Sequence, residues 1–182
     1  NWSHKRGFLL SHYWGAAPFY SSTFISRPYM DLKDKSASVA HFEKLKKLWD
    51  KRDILIVEGE NSRSGVGNDF FDNAQSVERI ICPSRNAYSK VQSIQEAIEK
   101  QADGKLVFLM LGPTAKVLAY YLSKKGIQAI DLGHIDSEYE WFKMGATSKV
   151  KFSHKHTAEH NFDQEIQLVV DEIYNKQVVV RI

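Results

Sequence analysis

The chain has 182 residues, 43% of them hydrophobic, which suits one folded domain with a substantial core and argues against a disordered segment. Its formal charge of +3 arises from interspersed charges, so we expect no nucleic-acid partner. The single cysteine, Cys82, excludes an intrachain disulfide, and no apolar run approaches a membrane span. We therefore expect a cytoplasmic protein without an integral membrane segment and, because the sequence starts at Asn1 without methionine, a piece of a longer one.

Strand and helix patterns alternate along the chain, which predicts an α/β class: a Rossmann-like, mostly parallel sheet flanked by helices on both faces. We expect a single domain, 1–182, with a helical and irregular part (1–50), a Rossmann-like core (51–150) and a C-terminal tail and helix (151–182). Apolar runs at 53–57, 77–82, 106–111 and 128–132 predict four strands, with the most apolar, 106–111, at the centre. Residues 177–182 fit a last strand or a frayed end.

Helices are expected from the N-cap Ser36, at 69–75, after Asn86, from Pro113, near Asp136 and at 163–174. Apolar residues at helical spacing predict which sides of these helices face the core. The inward residues are Val39, Phe42, Leu45, Leu48 and Trp49 in the first helix, Val91, Ile94, Ala97 and Ile98 in the third, Val117, Leu118, Tyr121 and Leu122 in the fourth, and Ile166, Val169, Val170 and Ile173 in the last.

Polar residues follow each strand, and the carboxyl ends of parallel strands meet at one edge of a sheet, where ligands bind. After the first strand comes the glycine-rich segment 58–69, in which Glu60, Arg63, Gly67 and Asn68 are candidates for binding a phosphate, a carboxylate or sugar hydroxyls. A solvated loop is the alternative for this segment. After the second strand, Ser84 and Asn86 fit either a helix cap or a contact with a nucleobase.

Gly112, Pro113 and Thr114 place a helix N-terminus at the same edge, which favours a phosphate, although an ordinary strand-to-helix turn has the same pattern. The segment is neither a Walker loop nor a dinucleotide fingerprint. The motif characteristic of a dinucleotide-dependent oxidoreductase is therefore missing, which argues against that function.

Ionisable residues cluster after the fourth strand. If a helix begins near Asp136, then Asp136 and Glu140 share a face and Glu138 points elsewhere. Capping accounts for one carboxylate, and the others fit a divalent-cation site or a general base. His134 fits a contact with a carboxylate or phosphate, or a structural hydrogen bond.

A second cluster of ionisable residues lies in the tail, at His154, His156, Glu159 and His160. It fits a zinc site or, more economically, groups that flank the phosphate together with Lys151 and Lys155.

Five parts of the sequence together resemble the GT-D glycosyltransferase domain, over about residues 25–160. They are ISRPYMD (25–31), IVEGE with SRSGVGND (56–60 and 62–69), CPSRNA (82–87), LGPTA (111–115) and DLGHIDSEYEW (131–141). The resemblance implies transfer of a sugar, with glucose expected, from a UDP-sugar to a glycan or glycoprotein acceptor, with Mn²⁺ or Mg²⁺ as cofactor. With this activity as the leading hypothesis, we expect catalysis by Asp136, Glu138 and His134 and metal binding by Asp136 and Glu138. The residues expected to bind the donor substrate are Glu60, Arg63, Gly67, Asn68, Ser84, Asn86, Gly112, Pro113 and Thr114.

One departure from the family pattern is the lack of an upstream Phe-Gly-Asp-Gly-Glu segment, whose Asp-x-Glu pair is associated with metal and nucleotide-sugar binding. Asp136-Ser137-Glu138 is the Asp-x-Glu present here. We therefore expect a domain truncated at its N-terminus. The alternative function is a module or fragment that binds a nucleotide or nucleotide-sugar without turnover.

Overall fold

A five-stranded parallel sheet forms the centre of the computed structural model, which describes residues 23–160, 166–167 and 169–182. The strands are β1 (Asp53–Gly59), β2 (Ser76–Cys82), β3 (Leu106–Met110), β4 (Ala129–Asp131) and β5 (Val178–Arg181). They lie in the order β4-β3-β1-β2-β5, and all neighbouring pairs are parallel. The predicted α/β class with a parallel sheet is confirmed.

Helices connect the strands and cover the sheet. They are α1 (Ser38–Lys46), α2 (Val91–Gln101), α3 (Pro113–Lys124), α4 (Ile135–Lys143) and α5 (Glu172–Gln177), with 3₁₀ turns at Thr23–Ser26 and Ala87–Lys90. Within the described part of the chain, no helix combines the length and apolarity needed to cross a bilayer. The predictions for residues 1–22 and for 161–165 and 168 lie outside the described residues.

Both faces of the sheet are buried. Along β1, Ile54 and Ile56 belong to one apolar cluster while Leu55 and Val57 belong to another, because successive side chains of a strand point to opposite faces. The first cluster includes residues of α1 and α4, and the second includes residues of α2 and α3. This double burial explains the continuous apolar runs in the sequence.

The central strand is β1, so the prediction that 106–111 would lie at the centre is wrong. β3 lies between β1 and β4, and all of its side chains are buried. An apolar run reports burial on both faces, and that burial is the same for a central strand and for its covered neighbour.

Three of the residues predicted to face inward from the first helix, Phe42, Leu45 and Trp49, are buried. Ser38 takes the remaining inward position, one residue before the predicted Val39, which is 56% exposed. The Ser38 hydroxyl donates to the Pro28 carbonyl at 2.6 Å. Leu48 lies beyond the last residue of α1 and is 40% exposed. Ser36 is not the N-cap: Ala37 holds that position.

Residues 69–75 form turns, and the helix predicted there is wrong. Phe70 and Phe71 are buried in these turns, and the Trp49 indole donates to the Phe70 carbonyl at 3.2 Å. In α3 the buried stripe is Ala115, Leu118 and Leu122, while Tyr121 is 48% exposed. These three residues, spaced at i, i+3 and i+7, lie on one side of the helix, and Tyr121 lies outside that side.

The closing helix is shorter than predicted. It begins only at Glu172, where Asp171 caps it by accepting from the Tyr174 amide at 2.8 Å. The apolar residues Val169, Val170 and Ile173 are exposed, and Tyr174 is buried. The last residues form β5, an edge strand parallel to β2, which confirms the strand alternative for 177–182.

Candidate functional site

A cavity of about 380 Å³ opens at the carboxyl ends of β1 to β4, and we call it the strand-tip cavity. Its walls include Gly59 at the end of β1, Ser84 after β2, Gly112 after β3 and Gly133 after β4. Its volume lies within the range of about 300–1,000 Å³ typical of small-molecule sites. Segments distant in sequence therefore meet at one edge of the sheet, as the parallel strand order requires.

Most of the predicted site residues line this cavity. They are Ser84, Asn86, Gly112, Pro113, Thr114, His134 and Asp136. The other five lie elsewhere. Glu60 and Arg63 line a second cavity, and Asn68 and Glu138 make buried or half-buried hydrogen bonds. Gly67 has φ +82° and faces His154. The functional roles of all of these residues stay predictions.

Two helix N-termini open onto the strand-tip cavity. The N-cap residues are Gly112 for α3, which has no side chain, and His134 for α4, whose side chain makes no cap hydrogen bond. Both residues line the cavity. The first-turn amides and the positive ends of two helix dipoles therefore converge there, a geometry that favours a bound anion.

Two histidines face each other across this region. The rings of His134 and His156 lie 6.1 Å apart, and both residues line the cavity. Burial, followed by His156 and Arg27, lowers the pKa of His134 below its ordinary value. The backbone amide of His156 donates to the Asn61 carbonyl at 2.6 Å. The sequence suggested His156 only as one member of a cluster, because its approach to His134 depends on the tertiary fold.

Asp136 is held by a buried network centred on Lys155. The fully buried Lys155 ammonium lies 2.8 Å from Asp136 Oδ2 and 2.6 Å from Glu140 Oε1. Asp136 Oδ1 accepts from the Gly65 amide at 2.8 Å and from Asn68 Nδ2 at 3.0 Å. The predicted shared face of Asp136 and Glu140 is present. Lys155 does not flank a phosphate site as predicted, since its charge is satisfied by these two carboxylates.

Glu138 points to the other side of α4. Its Oε2 accepts from the amides of Tyr29 and Met30 at 3.0 and 2.8 Å, and burial raises its pKa although these two donors oppose the shift. Asp136 and Glu138 therefore do not form the shared cation site that the sequence predicted. The oxygens of Asp136 already accept from an ammonium, a backbone amide and an asparagine, so this pair does not fit Mn²⁺ or Mg²⁺.

The tail histidines likewise do not form the zinc cluster considered above. Among the described residues, no group of three or more histidine, cysteine, aspartate or glutamate side chains is arranged to hold a metal ion.

The segment after β1 is anchored by a second buried ion pair. Glu58 Oε1 lies 2.6 Å from Arg79 Nη1, and Glu58 Oε2 accepts from the Ser64 amide at 2.7 Å. Arg79 also donates to the Ser64 carbonyl at 2.9 Å. This segment is therefore not the freely solvated loop that was the alternative.

Beyond this segment lies a second cavity of about 260 Å³, which we call the edge cavity. It is lined by Glu60, Asn61, Arg63, Val169, Val170, Asp171, Tyr174, Asn175 and Arg181. The Arg63 guanidinium stacks 4.6 Å from the Tyr174 ring and donates to the Val169 carbonyl at 2.9 Å. The predicted substrate residue Arg63 thus faces the edge cavity.

Neither Ser84 nor Asn86 caps α2, so the capping alternative is wrong. Lys90 holds the N-cap position, Asn86 adopts φ +50° before the 3₁₀ turn, and the Ser84 hydroxyl donates to Glu60 Oε1 at 3.2 Å. Tyr88, which the sequence did not nominate, is 58% exposed at the strand-tip cavity. An aromatic residue shortly after Ser84 and Asn86 is the signal that could have identified it.

Comparison with known proteins identifies the fold. Residues 2–160 match the family model described as "Glycosyltransferase GT-D fold". A structure described as "A New Glycosyltransferase (DUF1792) from Streptococcus sanguinis" superposes with a TM-score of 0.89 at 60% identity, covering 99% of this chain and 68% of that one. Another, described as "The highly conserved domain of unknown function 1792 has a distinct glycosyltransferase fold", gives 0.90 at 55% identity and covers 99% and 66%.

Two curated relatives are similar in sequence. "Glycosyltransferase GlyD" of Streptococcus pneumoniae serotype 4 is 64% identical over 164 residues, which is 90% of this chain and 20% of that protein. "Probable glycosyl transferase Gly" of Streptococcus gordonii is 62% identical over 166 residues, 91% of this chain and 24% of that protein. The chain thus spans about a fifth to a quarter of the length of these relatives.

Proposed function

The chain belongs to the GT-D fold glycosyltransferase family, and on this premise we propose that its strand-tip cavity holds a UDP-sugar donor. The sugar, with glucose expected, is transferred to a glycan or glycoprotein acceptor. The observation that carries the proposal is the convergence of two helix N-termini, α3 and α4, without side-chain caps on one cavity. Each N-terminus stabilises an anion by about 0.3–1 kcal/mol when exposed and by up to about 2 kcal/mol when partly buried.

The diphosphate binds between these helix ends. Thr114, which is 5% exposed in the first turn of α3, supplies a hydroxyl donor, and His134 lies at the start of α4. Within the described residues that line the cavity, Asp136 is the one carboxylate, and it shares the Lys155 ammonium with Glu140. An incoming diphosphate therefore meets two helix dipoles and the Thr114 hydroxyl, opposed by one carboxylate that is only partly compensated.

The nucleoside lies on the other side of the cavity, toward β2. Asn86 offers amide donors and acceptors for the uracil edge, and the exposed ring of Tyr88 offers a face on which a base can stack. Ser84 is tied to Glu60 by its hydroxyl and orients the segment after β1 at the same place. The remaining cavity volume beside Gly133 is left for the sugar.

Transfer develops negative charge on the departing diphosphate, and preorganised donors that stabilise this charge lower the barrier. The two helix ends and Thr114 supply such donors. Burial lowers the pKa of His134 in the free protein, which favours the neutral imidazole, and a neutral ring nitrogen can accept the proton of the acceptor hydroxyl. Asp136 holds the glycine-rich segment by accepting a hydrogen bond from the Gly65 amide. Its oxygens also contact Asn68 Nδ2 and the Lys155 ammonium, and these three donors oppose its predicted role as a base.

The test is to incubate the protein with UDP-glucose, an acceptor glycan and Mn²⁺, and to follow thermal stability and UDP release, with and without a chelator. UDP release above the background supports transfer, and loss of release with chelator supports the predicted Mn²⁺ or Mg²⁺ requirement, which rests on the family resemblance. A stability shift without UDP release indicates the binding module. If UDP-glucose produces neither a stability shift nor UDP release, the nucleotide-sugar proposal is wrong. A cytoplasmic location also stays a prediction.

A matched pair of variants tests the cavity itself. Thr114→Val removes the buried hydroxyl while keeping the shape of the side chain, and Thr147→Val makes the same change at an exposed position. A hydrogen bond to a charged group is worth about 1.5–3 kcal/mol, so we expect Thr114→Val to weaken UDP binding by at least about tenfold and Thr147→Val to leave it unchanged. Equal affinities for both variants would remove Thr114 from the diphosphate site.

A further inference from the structure

The edge cavity lies outside the donor site proposed above, on the β5 side of the sheet. The turn after β1, the segment before α5, α5 itself and the end of β5 form its walls. Arg63 is held there in a left-handed conformation, with φ +46°, although only 7% of the residue is exposed. Such a conformation costs about 1–2 kcal/mol for a residue with a side chain, so the surrounding contacts must impose it.

The charges around the edge cavity balance. Arg63 and Arg181 provide two positive groups, and Glu60 and Asp171 provide two negative ones. An anionic ligand would be attracted by the two guanidinium groups but repelled by the two carboxylates. A cationic ligand would be attracted by the carboxylates and repelled by the guanidinium groups. The balance favours a neutral ligand that is rich in hydrogen-bonding groups.

The polar groups that line the edge cavity suit a ligand with neighbouring hydroxyl groups. Guanidinium, carboxylate and carboxamide groups are planar and carry two donors or acceptors side by side, which allows paired hydrogen bonds to neighbouring hydroxyls. Asn61 and Asn175 add carboxamides to the four charged groups. The exposed Val169 and Val170 provide apolar surface for the C–H faces of a ring. The volume of about 260 Å³ is small for a drug-sized ligand and suits a single ring.

The wall between the two cavities is thin. Asn61 lines both of them, and Glu60 of the edge cavity accepts from the Ser84 hydroxyl of the strand-tip cavity at 3.2 Å. The Asn61 carbonyl is pinned by the His156 amide at 2.6 Å. A ring bound in the edge cavity is therefore separated from the donor only by the width of this segment.

We propose that the edge cavity binds a neutral sugar unit of the acceptor glycan. This rests on the proposed function in one respect, since the bound sugar is an acceptor only if the strand-tip cavity holds the donor. The sugar site itself is a separate claim, and it places Glu60 and Arg63, which were predicted from the sequence to bind the donor, beside the acceptor instead.

The test is a titration of the ¹⁵N-labelled chain followed by NMR, with separate probes for the two cavities. UDP is the probe for the strand-tip cavity, read at the amides of Gly112 and Asn86. Methyl glucoside, methyl galactoside and N-acetylglucosamine at millimolar concentrations are the probes for the edge cavity, read at the side-chain amides of Asn61 and Asn175. We expect at least one sugar to shift the edge-cavity signals in a saturable way.

Two variants of α5 provide the matched comparison. Asn175→Ala removes an exposed carboxamide that lines the edge cavity, and Lys176→Ala changes the next exposed residue, which does not line it. We expect Asn175→Ala to weaken sugar binding about two- to tenfold, the worth of one or two neutral hydrogen bonds, and Lys176→Ala to have no effect.

The outcomes separate the two proposals. If no sugar shifts the edge-cavity signals, or if Asn175→Ala and Lys176→Ala bind equally well, the sugar site is wrong even when UDP binds at Gly112. If sugars bind at the edge cavity but UDP shifts nothing, the donor proposal fails and the sugar site stands as a carbohydrate-binding site without a donor.

Discussion

Removal of the Lys155 charge should destabilise the protein strongly. Lys155 is 0% exposed and is paired with Asp136 and Glu140 at 2.8 and 2.6 Å. Burial opposes its charge, but the two carboxylates outweigh burial and raise its pKa above the ordinary value. Lys155→Met keeps the length of the side chain and leaves both carboxylates without their cation.

The magnitude follows from the cost of an uncompensated buried charge. Breaking a buried ion pair by removing one partner costs about 3–5 kcal/mol, and here two carboxylates lose the same partner, so the upper part of this range applies. Domains of this size are stable by only about 5–15 kcal/mol. At about 2–4 °C per kcal/mol for a chain of this length, a loss of about 4–5 kcal/mol lowers the melting temperature by about 8–20 °C.

Urea unfolding followed by circular dichroism measures the change, with Lys47→Met as the control. Lys47 is exposed, so its replacement should change the free energy of unfolding by less than about 0.5 kcal/mol. Adding Glu140→Gln to Lys155→Met removes one of the stranded charges and should restore part of the stability. A loss below about 1 kcal/mol for Lys155→Met, or a double variant that is less stable than Lys155→Met, would refute this reasoning.

Three further predictions concern a glycine, the thiol and a histidine. Gly65→Ala should cost at least about 1 kcal/mol more in chemical unfolding than Gly104→Ala, since both have positive φ but only the new Cβ at 65 lies 2.6 Å from Phe71; equal costs would contradict this. Burial and Glu58 raise the pKa of Cys82 to about 12, so a thiol reagent at about pH 8 should label it only after unfolding. Because burial lowers the pKa of His134 in the free protein and a bound diphosphate would raise it, UDP should bind more tightly as pH falls from the raised pKa of the complex toward the lowered pKa of the free protein; His134→Gln should weaken this dependence in calorimetry.

The strands could be predicted from the sequence because burial on both faces favours runs of successive apolar residues. In β1 the run Ile54 to Val57 divides its side chains between two apolar cores. Because the strands are parallel, Ser84, Thr114 and His134 lie at one edge of the sheet, and this could be predicted without knowing the conformation of the loops. This part of the site depends on topology alone.

The position of charged residues in the loops could not be predicted in the same way. Arg63 faces the edge cavity because its backbone has positive φ, which is common for glycine and unusual for arginine. Lys155 follows a turn-rich segment and reaches Asp136, 19 residues earlier in the chain, across the fold. A basic residue near histidines reads as a surface group until the tertiary contacts that bury it are known.

The glycine-rich segment after β1 is fixed from two sides by buried charge. On the β2 side, Arg79 donates to the Ser64 carbonyl, and its partner Glu58 accepts from the Ser64 amide. On the α4 side, Asp136 accepts from the Gly65 amide, and Lys155 donates to the Val66 carbonyl. Three successive backbone positions, 64 to 66, are thus held by two separate ion pairs.

This arrangement explains why a segment with three glycines can position ligands. Glycines permit the turns at positive φ, but they also make the unfolded loop costly to order. Buried charged partners offset that cost because each backbone contact lies away from solvent, where a hydrogen bond to an ion is strong. Since Asn61 and Glu60 lie between β1 and this anchored stretch and separate the two cavities, the same ion pairs set the distance between the proposed donor and acceptor sites.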